Sequence, residues 1–434
     1  MGVKICVVGG GSTYTPELVE GLAVRHDRLP IDDLVLLDID PERREVVGGL
    51  AERMLRRLGW TGRLTLTDDT DGAIDGADFV VIQLRVGGQA ARFVDETLPL
   101  EYGTIGQETT GAGGFAKALR TVPVVLDLAE RAARRAAPGH WIVDFTNPVG
   151  IVTQALLDEG HRAIGLCNVA IGFQRRFAAR FGVEPERIEL DHVGLNHLTW
   201  IRAVRVDGVD RLPELLASEG DRLAADLRMP VDLIRSLEAI PSYYLRYYYL
   251  FETVLREQRS AGHETRAEEV SDIEHELLTM YRNPNLDTKP ALLARRGGAF
   301  YSEAAAQLMA SLHDGRGDVQ VVNVRNEGAL PDIARDAVVE IPATIDRAGA
   351  HPAQLTPLAP DMLGLVQAAK GYERLAIAAA HGGDRAVALR ALLANPLVGG
   401  WETAEALLDA LLAANAAHLP QFAGGATARP VTPS

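Results

Sequence analysis

One cysteine and one histidine, each in a polar turn after an apolar run, are the first candidates for metal chemistry. Cys167 and Asn168 follow the apolar run at 163–166, and His197 ends the motif GLNH thirty residues later. A thiolate and an imidazole can hold a transition metal, with substrate or water in the open positions. Two ligands are an incomplete set, and by spacing alone a buried structural cysteine with a core histidine is the commoner outcome. His192 is an alternative ligand that the spacing leaves open.

A cluster of tyrosines is the second candidate. Five of the ten tyrosines lie within residues 243–249, in the segment IPSYYLRYYYL. Most of these rings are expected to form an aromatic packing surface. A phenol close to a metal or another cation has a lowered pKa and can act as a base. Arg266, about twenty residues further along, is the neighbouring anchor for an anion.

A glycine-rich turn indicates a dinucleotide. It lies between the apolar run at 3–8 and a helix that begins near residue 15, where glycines let a pyrophosphate approach the helix N-terminus. The loop residues are Gly9, Gly10, Gly11, Ser12 and Thr13. Asp38 closes the second strand, where an acid receives a ribose hydroxyl, and no arginine directly follows it, which favours NAD over NADP. Position 14 is tyrosine where the full motif has glycine, and a turn without a ligand is the alternative.

Two arginines and an asparagine follow other predicted strands. Arg85 and Arg92 lie beside the glycine-rich stretch QETTGAGG at 107–114, and together they predict an anion or phosphate site. Asn147 ends another strand. It either caps the helix that starts after Pro148 or places its amide over the reactive end of the cofactor.

The elements that must position these residues alternate between strand and helix. Apolar runs predict strands at 3–8, 34–37, 79–84, 141–145 and 163–166, with helices from 15, at 41–58 and at 118–137. Continuous apolar strands separated by helices are typical of a parallel sheet covered on both faces. The predicted fold class is therefore α/β, with a Rossmann-type, doubly wound parallel sheet at the N-terminus.

The second half of the chain has a different pattern. Alternation at 193–206 predicts antiparallel strands, and helices are predicted at 266–281, at 301–312 and across 361–417, with a frayed end at 424–434. We expect a dinucleotide-binding domain at 1–190, continuous with an α+β substrate and metal lobe at 191–434.

Composition excludes several classes of protein. The 434 residues are 47% hydrophobic, which excludes general disorder, and a net charge of −15 argues against a nucleic-acid surface. The two cysteines cannot form a disulfide framework, so a reduced, cytoplasmic location is expected. The start MGVKICVVGGG lacks a signal peptide's apolar region and cleavage site. The apolar stretches fall short of the ~20 residues that span a bilayer, so membrane insertion is not expected.

Taken together, the motifs resemble glycoside hydrolase family 4, and its 6-phospho-β-glucosidase branch most of all. The resemblance runs from residue 3 to about residue 395. The motifs occur in the order GGGSTYTPEL, LRVGGQAAR, GTIGQETTGAGG, TNPVGIVTQAL, GLCN, VGLNHLTW, IPSYYLRYYY and TRAEEV, followed by RRGGAFYSEAA and VVNVRNEGALP. This family is an NAD-dependent exception to the two-carboxylate glycosidases.

The resemblance implies a redox-elimination route on a phosphorylated glycoside. NAD⁺ takes a hydride from C3 of the sugar, a divalent metal, most often Mn²⁺, polarises the C2 and C3 oxygens, and a base removes the C2 proton. The C1–O bond then breaks, water adds, and NADH returns the hydride. A homodimer or homotetramer is also implied.

The same resemblance assigns roles to individual residues. Cys167 and His197 ligate the metal, and Tyr244 is the C2 base. Arg92, Asn147 and Arg266 hold the substrate and its phosphate; Arg85 and Asn168 complete the predicted substrate-binding set. Asn168 departs from the α-glucoside branch, which has an acidic aspartate there. This leaves the leaving-group acid open, with Asp144 and Glu108 as candidates, and favours a β-type or activated leaving group.

Two other functions compete with this one. An NAD-dependent dehydrogenase of the malate or 2-hydroxy-acid type has the same fold but leaves Cys167 idle. A non-catalytic NAD-binding regulator has no use for Tyr244.

Overall fold

The structure is a computed structural model that describes residues 2–298 and 300–423. The predicted frayed end at 424–434 lies outside the described residues. The strands are β1 Val3–Val8, β2 Ile31–Leu37, β3 Arg63–Thr67, β4 Phe79–Ile82, β5 Trp141–Asp144, β6 Ala163–Gly165, β7 Ile188–Leu195, β8 Leu198–Val206, β9 Val209–Asp210, β10 Ile240–Pro241, β11 Asp318–Arg325, β12 Val338–Asp346 and β13 Gly349–Pro352.

The helices cover both faces of the larger sheet and build most of the C-terminal half. They are α1 Thr15–Ala23, α2 Pro41–Arg57, α3 Thr70–Ile74, α4 Gly88–Glu101, α5 Gly111–Arg135, α6 Val149–Asp158, α7 Val169–Phe181, α8 Leu212–Leu227, α9 Val231–Leu237, α10 Arg246–Tyr249, α11 Phe251–Gln258, α12 Arg266–Tyr281, α13 Tyr301–Asp314, α14 Pro360–Gly382, α15 Arg385–Ala394 and α16 Trp401–Ala414. Within the described residues, no helix is both long enough and apolar enough to cross a bilayer.

The larger sheet contains the predicted doubly wound arrangement. Its strand order is β13-β12-β11-β6-β5-β4-β1-β2-β3, and the part β3-β2-β1-β4-β5-β6 is parallel throughout. This is the 3-2-1-4-5-6 order of a dinucleotide-binding fold. The fold class predicted from the sequence is confirmed, including the antiparallel strands and helices of the second half.

Three strands from the end of the chain extend the same sheet. β11 pairs antiparallel with β6 through Asn323 and Gly165, and β12 and β13 follow in antiparallel order. The sheet therefore draws strands from both sides of residue 190, and the division there stays a prediction. β7, β8, β9 and β10 form a second, antiparallel sheet.

Helix α5 begins seven residues before its predicted start, because the glycines at 111–114 form its first turn rather than a loop. A Cβ on Gly113 would lie 2.3 Å from the carbonyl oxygens of both Asp95 and Gln107. Glycine is needed here because the helix start packs directly on neighbouring backbone.

A buried ion pair joins three helices behind the cleft. Arg120 of α5 donates to both carboxylate oxygens of Asp95 on α4, at 2.9 and 2.6 Å, and to Asn415 Oδ1 at 2.6 Å. Both charged side chains are at most 1% exposed. The pair fixes α4 and α5 against the end of α16.

We predict that Arg120→Leu lowers the free energy of unfolding by about 3–5 kcal/mol, since it leaves Asp95 buried without a partner. Burial raises the pKa of Asp95 to about 6, although the charge of Arg120 lowers it. Urea unfolding is therefore best measured at pH 8, where Asp95 is ionised while it is paired with Arg120.

Two variants control this experiment. Asp95→Leu combined with Arg120→Leu should recover most of the loss, because no unpaired charge remains. Arg131→Leu, on the same helix, removes two partly exposed ion pairs, with Asp71 and Asp127, and should change stability little. Equal losses for Arg120→Leu and Arg131→Leu would contradict the assignment.

Candidate functional site

The predicted site residues surround one cleft of about 1710 Å³ at the carboxyl ends of the parallel strands. Each strand of this edge contributes through the turn that follows it. The sequence-predicted residues that line the cleft are Gly9, Ser12, Asp38, Arg85, Arg92, Asn147, Asn168, His197, Tyr244 and Arg266. Gly10, Gly11, Thr13 and Cys167 do not line it, but each is next in sequence to a residue that does.

The glycine turn is fixed by close packing. Gly9 has a φ of 84°, and a Cβ there would lie 2.5 Å from the carbonyl oxygen of Gln83. Gly10 packs on Leu36 of β2. The Gly11 N–H donates to Asp38 Oδ2 at 2.7 Å, an approach that a side chain on Gly11 would block. The turn and Asp38 therefore form one unit, shaped as dinucleotide-binding turns are.

A distant arginine, which the sequence did not point to, contacts this turn. Arg296 donates through Nε to Thr13 Oγ1 at 2.6 Å and through Nη2 to Glu274 Oε1 at 2.9 Å. Arg43 approaches the other oxygen of Glu274 at 3.4 Å. The hydroxyl of Thr13 is thus held by Arg296, while Ser12 faces the cleft.

His197 lies at the tip of the β7–β8 hairpin, in a left-handed conformation with a φ of 62°. Its Nδ1 lies 2.8 Å from Thr109 Oγ1, and its ring stacks on Tyr244 with centroids 3.6 Å apart. Burial lowers the pKa of His197 to about 4. The ring is therefore neutral near pH 7, the form that binds metals, and Nε2 is the nitrogen left for a ligand.

Cys167 lies immediately after β6 and is 4% exposed. Burial, followed by the charge of Glu340, raises the pKa of its thiol, while the neighbouring side chains of Tyr301 and Asn196 lower it by a smaller amount. The thiol is therefore protonated until a cation approaches. His192, the alternative ligand, faces Glu340: its Nε2 lies 3.1 Å from Glu340 Oε1.

The donor set fits a metal that the substrate helps to bind. In the described part of the chain, no three side chains of histidine, cysteine, aspartate or glutamate are grouped to hold an ion. Cys167 and His197 supply a soft and an intermediate donor, and a catalytic site keeps positions open for substrate oxygens.

The tyrosine cluster contains the aromatic packing surface that was expected, and the role of Tyr244 as a base stays a prediction. The rings of Tyr243, Tyr244 and Tyr247 pack on one another at centroid distances of 6.0 to 6.4 Å. Only Tyr244 also stacks on His197. Burial raises the pKa of Tyr244, and the negative charge of a Cys167 thiolate would raise it further. Its phenol therefore stays protonated until further positive charge enters the cleft.

One buried carboxylate, that of Glu108, forms ion pairs with three basic side chains of the site. Glu108 contacts Arg85, lies 3.1 Å from Arg92 Nη2 and accepts from Lys117 Nζ at 2.6 Å. Burial alone would raise the pKa of Glu108, but the charges of Arg85, Lys117 and Arg92 outweigh it and hold the pKa well below its usual value. A lowered pKa keeps Glu108 ionised, without a proton to give, and this argues against the role of leaving-group acid for which it was a candidate. Burial, followed by the charge of Arg85, lowers the pKa of Lys117 to about 7. Lys117 was not predicted, although it directly follows the glycine-rich stretch in sequence.

Two asparagines follow β5 and β6. The helix cap predicted for Asn147 is not formed, because Pro148 occupies the N-cap of α6 and no side chain caps it. Asn147 Oδ1 is buried and has no hydrogen-bond partner among residues 2–298 and 300–423, so it can accept from a ligand. Asn168 lies at the start of α7 and lines the cleft.

The remaining candidates lie at the edges of the site. Arg266 begins α12 and donates to the carbonyl oxygens of Arg295 and Arg296 at 2.9 Å. Its side chain is about one-third exposed at the cleft. Asp144, the other candidate acid, is completely buried and burial raises its pKa well above the usual value. Its Oδ1 accepts from the Thr146 N–H at 2.9 Å, and it does not face the cleft.

Comparison with known proteins shows the family to which the chain belongs. Residues 4–183 match the family described as family 4 glycosyl hydrolase, and residues 192–398 match its C-terminal domain. The chain is 42% identical to a probable 6-phospho-beta-glucosidase of Bacillus subtilis, over 97% of this chain and 98% of that protein.

Solved structures agree with this comparison. A 6-phospho-beta glucosidase from Thermotoga maritima, solved with manganese, NAD+ and glucose-6-phosphate, is 37% identical with a TM-score of 0.91, covering 96% of this chain and 99% of that one. A 6-phospho-alpha-glucosidase from gut microorganisms, solved with NAD and glucose-6-phosphate, is 29% identical with a TM-score of 0.88, covering 97% and 100%. The chain therefore belongs to glycosyl hydrolase family 4 and is a glycosidase.

Proposed function

We propose that this chain is a 6-phospho-β-glucosidase that works with NAD and a divalent metal, Mn²⁺ most often. The observation that carries the proposal is the meeting of three groups at one cleft: the glycine turn with Asp38, His197 with Tyr244 stacked on it, and Cys167, which lies next to the lining residue Asn168 and close enough for its charge to act on Tyr244. A malate-type dehydrogenase or an NAD-binding regulator needs the first group but neither of the others.

The cofactors supply the redox and Lewis-acid chemistry: NAD accepts a hydride from C3 of the sugar and returns it, and the metal polarises the C2 and C3 oxygens. Relatives solved with NAD and manganese support this choice. Gly9, Ser12 and Asp38 would hold the dinucleotide, and Cys167 and His197 would hold the metal.

Residues of the chain carry out proton abstraction and bind the sugar. Tyr244 takes the proton from C2, next to the carbon that gives up the hydride, and the C1–O bond breaks by elimination. Its raised pKa means that it serves as a base only when positive charge in the cleft stabilises the phenolate. Asn147 Oδ1 accepts from a sugar hydroxyl, which its lack of another partner favours.

The phosphate is assigned to the cationic side of the cleft. Arg92 and Arg266 are the predicted anchors, and Lys117, whose pKa burial lowers to about 7, adds positive charge close to Arg92 when it is protonated, through their shared contact with Glu108. Arg85 meets the same carboxylate. An anionic sugar therefore encounters local positive charge in a protein whose overall charge is −15.

The β-anomeric preference rests on Asn168. Asn168 has an amide and not a carboxylic acid, so this position cannot give a proton to the leaving group. Elimination from a sugar activated at C2 and C3 makes a strong acid less necessary, which suits β-glucosides and activated aglycones. The relatives at 37–42% identity are named as β-glucosidases, and the one at 29% as an α-glucosidase. Assembly as a homodimer or homotetramer and a cytoplasmic location stay predictions.

We expect the purified chain to hydrolyse aryl 6-phospho-β-glucosides only when NAD⁺, Mn²⁺ and a thiol reductant are all present. A chromogenic assay with each component omitted in turn tests this, with the unphosphorylated and α-linked glycosides as matched substrates. Cys167→Ser should lower turnover strongly because it removes the soft metal donor. Hydrolysis that survives both EDTA and the removal of NAD⁺ would refute the proposal.

We expect Tyr244→Phe to lower kcat by about 100- to 10,000-fold, the contribution of a general base, with little change in KM. Tyr248→Phe removes a phenol from the same cluster, away from His197, and is the matched control. Hydrolysis in D₂O with NMR of the released sugar should show deuterium at C2 for the parent chain. Rapid turnover by Tyr244→Phe with full deuterium incorporation would exclude Tyr244 as the base.

A further inference from the structure

A buried carboxylate lies beneath the Cys167–His197 pair. Glu340 is on β12 and is 1% exposed. It lies 3.1 Å from His192 Nε2 through Oε1, and its Oε2 accepts from Asn196 Nδ2 at 2.9 Å and from Asn323 Nδ2 at 3.1 Å. These three partners come from the β7–β8 hairpin and from β11, so Glu340 ties the hairpin to the large sheet.

Asn196 connects this network to both candidate metal donors. Its side chain donates to Glu340 and lies close enough to the Cys167 thiol to lower the pKa of that thiol. Its backbone leads directly into His197, which is held in a left-handed turn at the hairpin tip. A movement of Asn196 therefore displaces the thiol's partner and the imidazole together.

We infer that Glu340 is a positioning residue for the metal: through Asn196 it fixes Cys167 and His197 in the relation that a divalent cation requires. This inference rests on the proposed function. Hydrogen bonds behind the ligands orient metal-binding side chains, and the loss of one such partner typically weakens metal binding 10- to 100-fold.

The charge of Glu340 favours the same role over a purely structural one. A carboxylate is costly to bury, and an apolar side chain of similar size would pack this position between strands at lower cost. Its negative charge acts on both Cys167 and His197. A cation held by those two residues gains from that charge without direct contact, since attraction is screened less in a buried site.

The experiment measures Mn²⁺ binding by the reduced full-length chain in the presence of NAD⁺ and glucose-6-phosphate, using the EPR signal of free Mn²⁺, beside kcat, KM and the melting temperature. Glu340→Gln keeps the size of the side chain and removes its charge. Asn196→Ala leaves the bonds from Glu340 to His192 and Asn323 in place and cuts the connection to Cys167. Val339→Ala, in the neighbouring buried position on β12, is the control for a loss of packing alone.

We expect both network variants to raise the Kd for Mn²⁺ about 10- to 100-fold. We also expect kcat to recover as Mn²⁺ approaches saturation, with the KM for the glycoside little changed. Val339→Ala should lower the melting temperature and leave the Kd unchanged. If Glu340→Gln does not fold, Asn196→Ala decides the question.

Two outcomes separate this inference from the function on which it rests. Normal Mn²⁺ binding by the parent chain and by both variants, with only the melting temperature lowered, would overturn the positioning role and leave the proposed function intact. A parent chain that binds no Mn²⁺ would overturn both.

Discussion

The parallel pairing of β1 with β2 on one side and β4 on the other is the constraint on which the cleft depends. Parallel strands end at the same edge of a sheet, so the turns after β1, β2, β4, β5 and β6 must meet there. This alone brings Gly9, Asp38, Arg85, Asn147 and Asn168 to one cleft from positions spread over 160 residues of sequence. The antiparallel hairpin β7–β8 then delivers His197 from outside the sheet, so the site is completed by an element with a different topology.

The cleft contains clusters of positively charged side chains, although the net charge of the whole protein is negative. Arg85, Arg92 and Lys117 share the carboxylate of Glu108; Arg92 and Lys117 are buried, and the side chain of Arg85 is 25% exposed. Arg296 and Arg43 meet at Glu274 in the same way beside the glycine turn. Each carboxylate offsets the cost of burying its cations but leaves an excess of positive charge. An anionic ligand can therefore be attracted without the basic surface that a nucleic-acid-binding protein carries.

The sequence predicted those parts of the fold that local patterns determine. The strand Val3–Val8 is a continuous apolar run and the helix Arg266–Tyr281 starts at a Thr265–Glu268 capping box, and both have the predicted bounds. The addition of β11, β12 and β13 to the sheet was not predicted, since antiparallel pairing with β6 depends on contacts between distant segments. The same limit applies to the site: Thr109 orients His197 across 88 residues, and only the fold shows that His192 is turned to Glu340.

Burial holds three groups at the cleft in uncharged forms: the candidate metal donors Cys167 and His197, and the candidate base Tyr244. The imidazole of His197 is neutral because burial lowers its pKa to about 4. The thiol of Cys167 and the phenol of Tyr244 are neutral because burial raises theirs. A single divalent cation near these groups favours the anionic forms of both acids and leaves the imidazole as it is. If Cys167 and His197 bind the metal as proposed, formation of the metal site and activation of the base become one event, which depends on the contacts that Thr109, Asn196 and the stacked rings maintain.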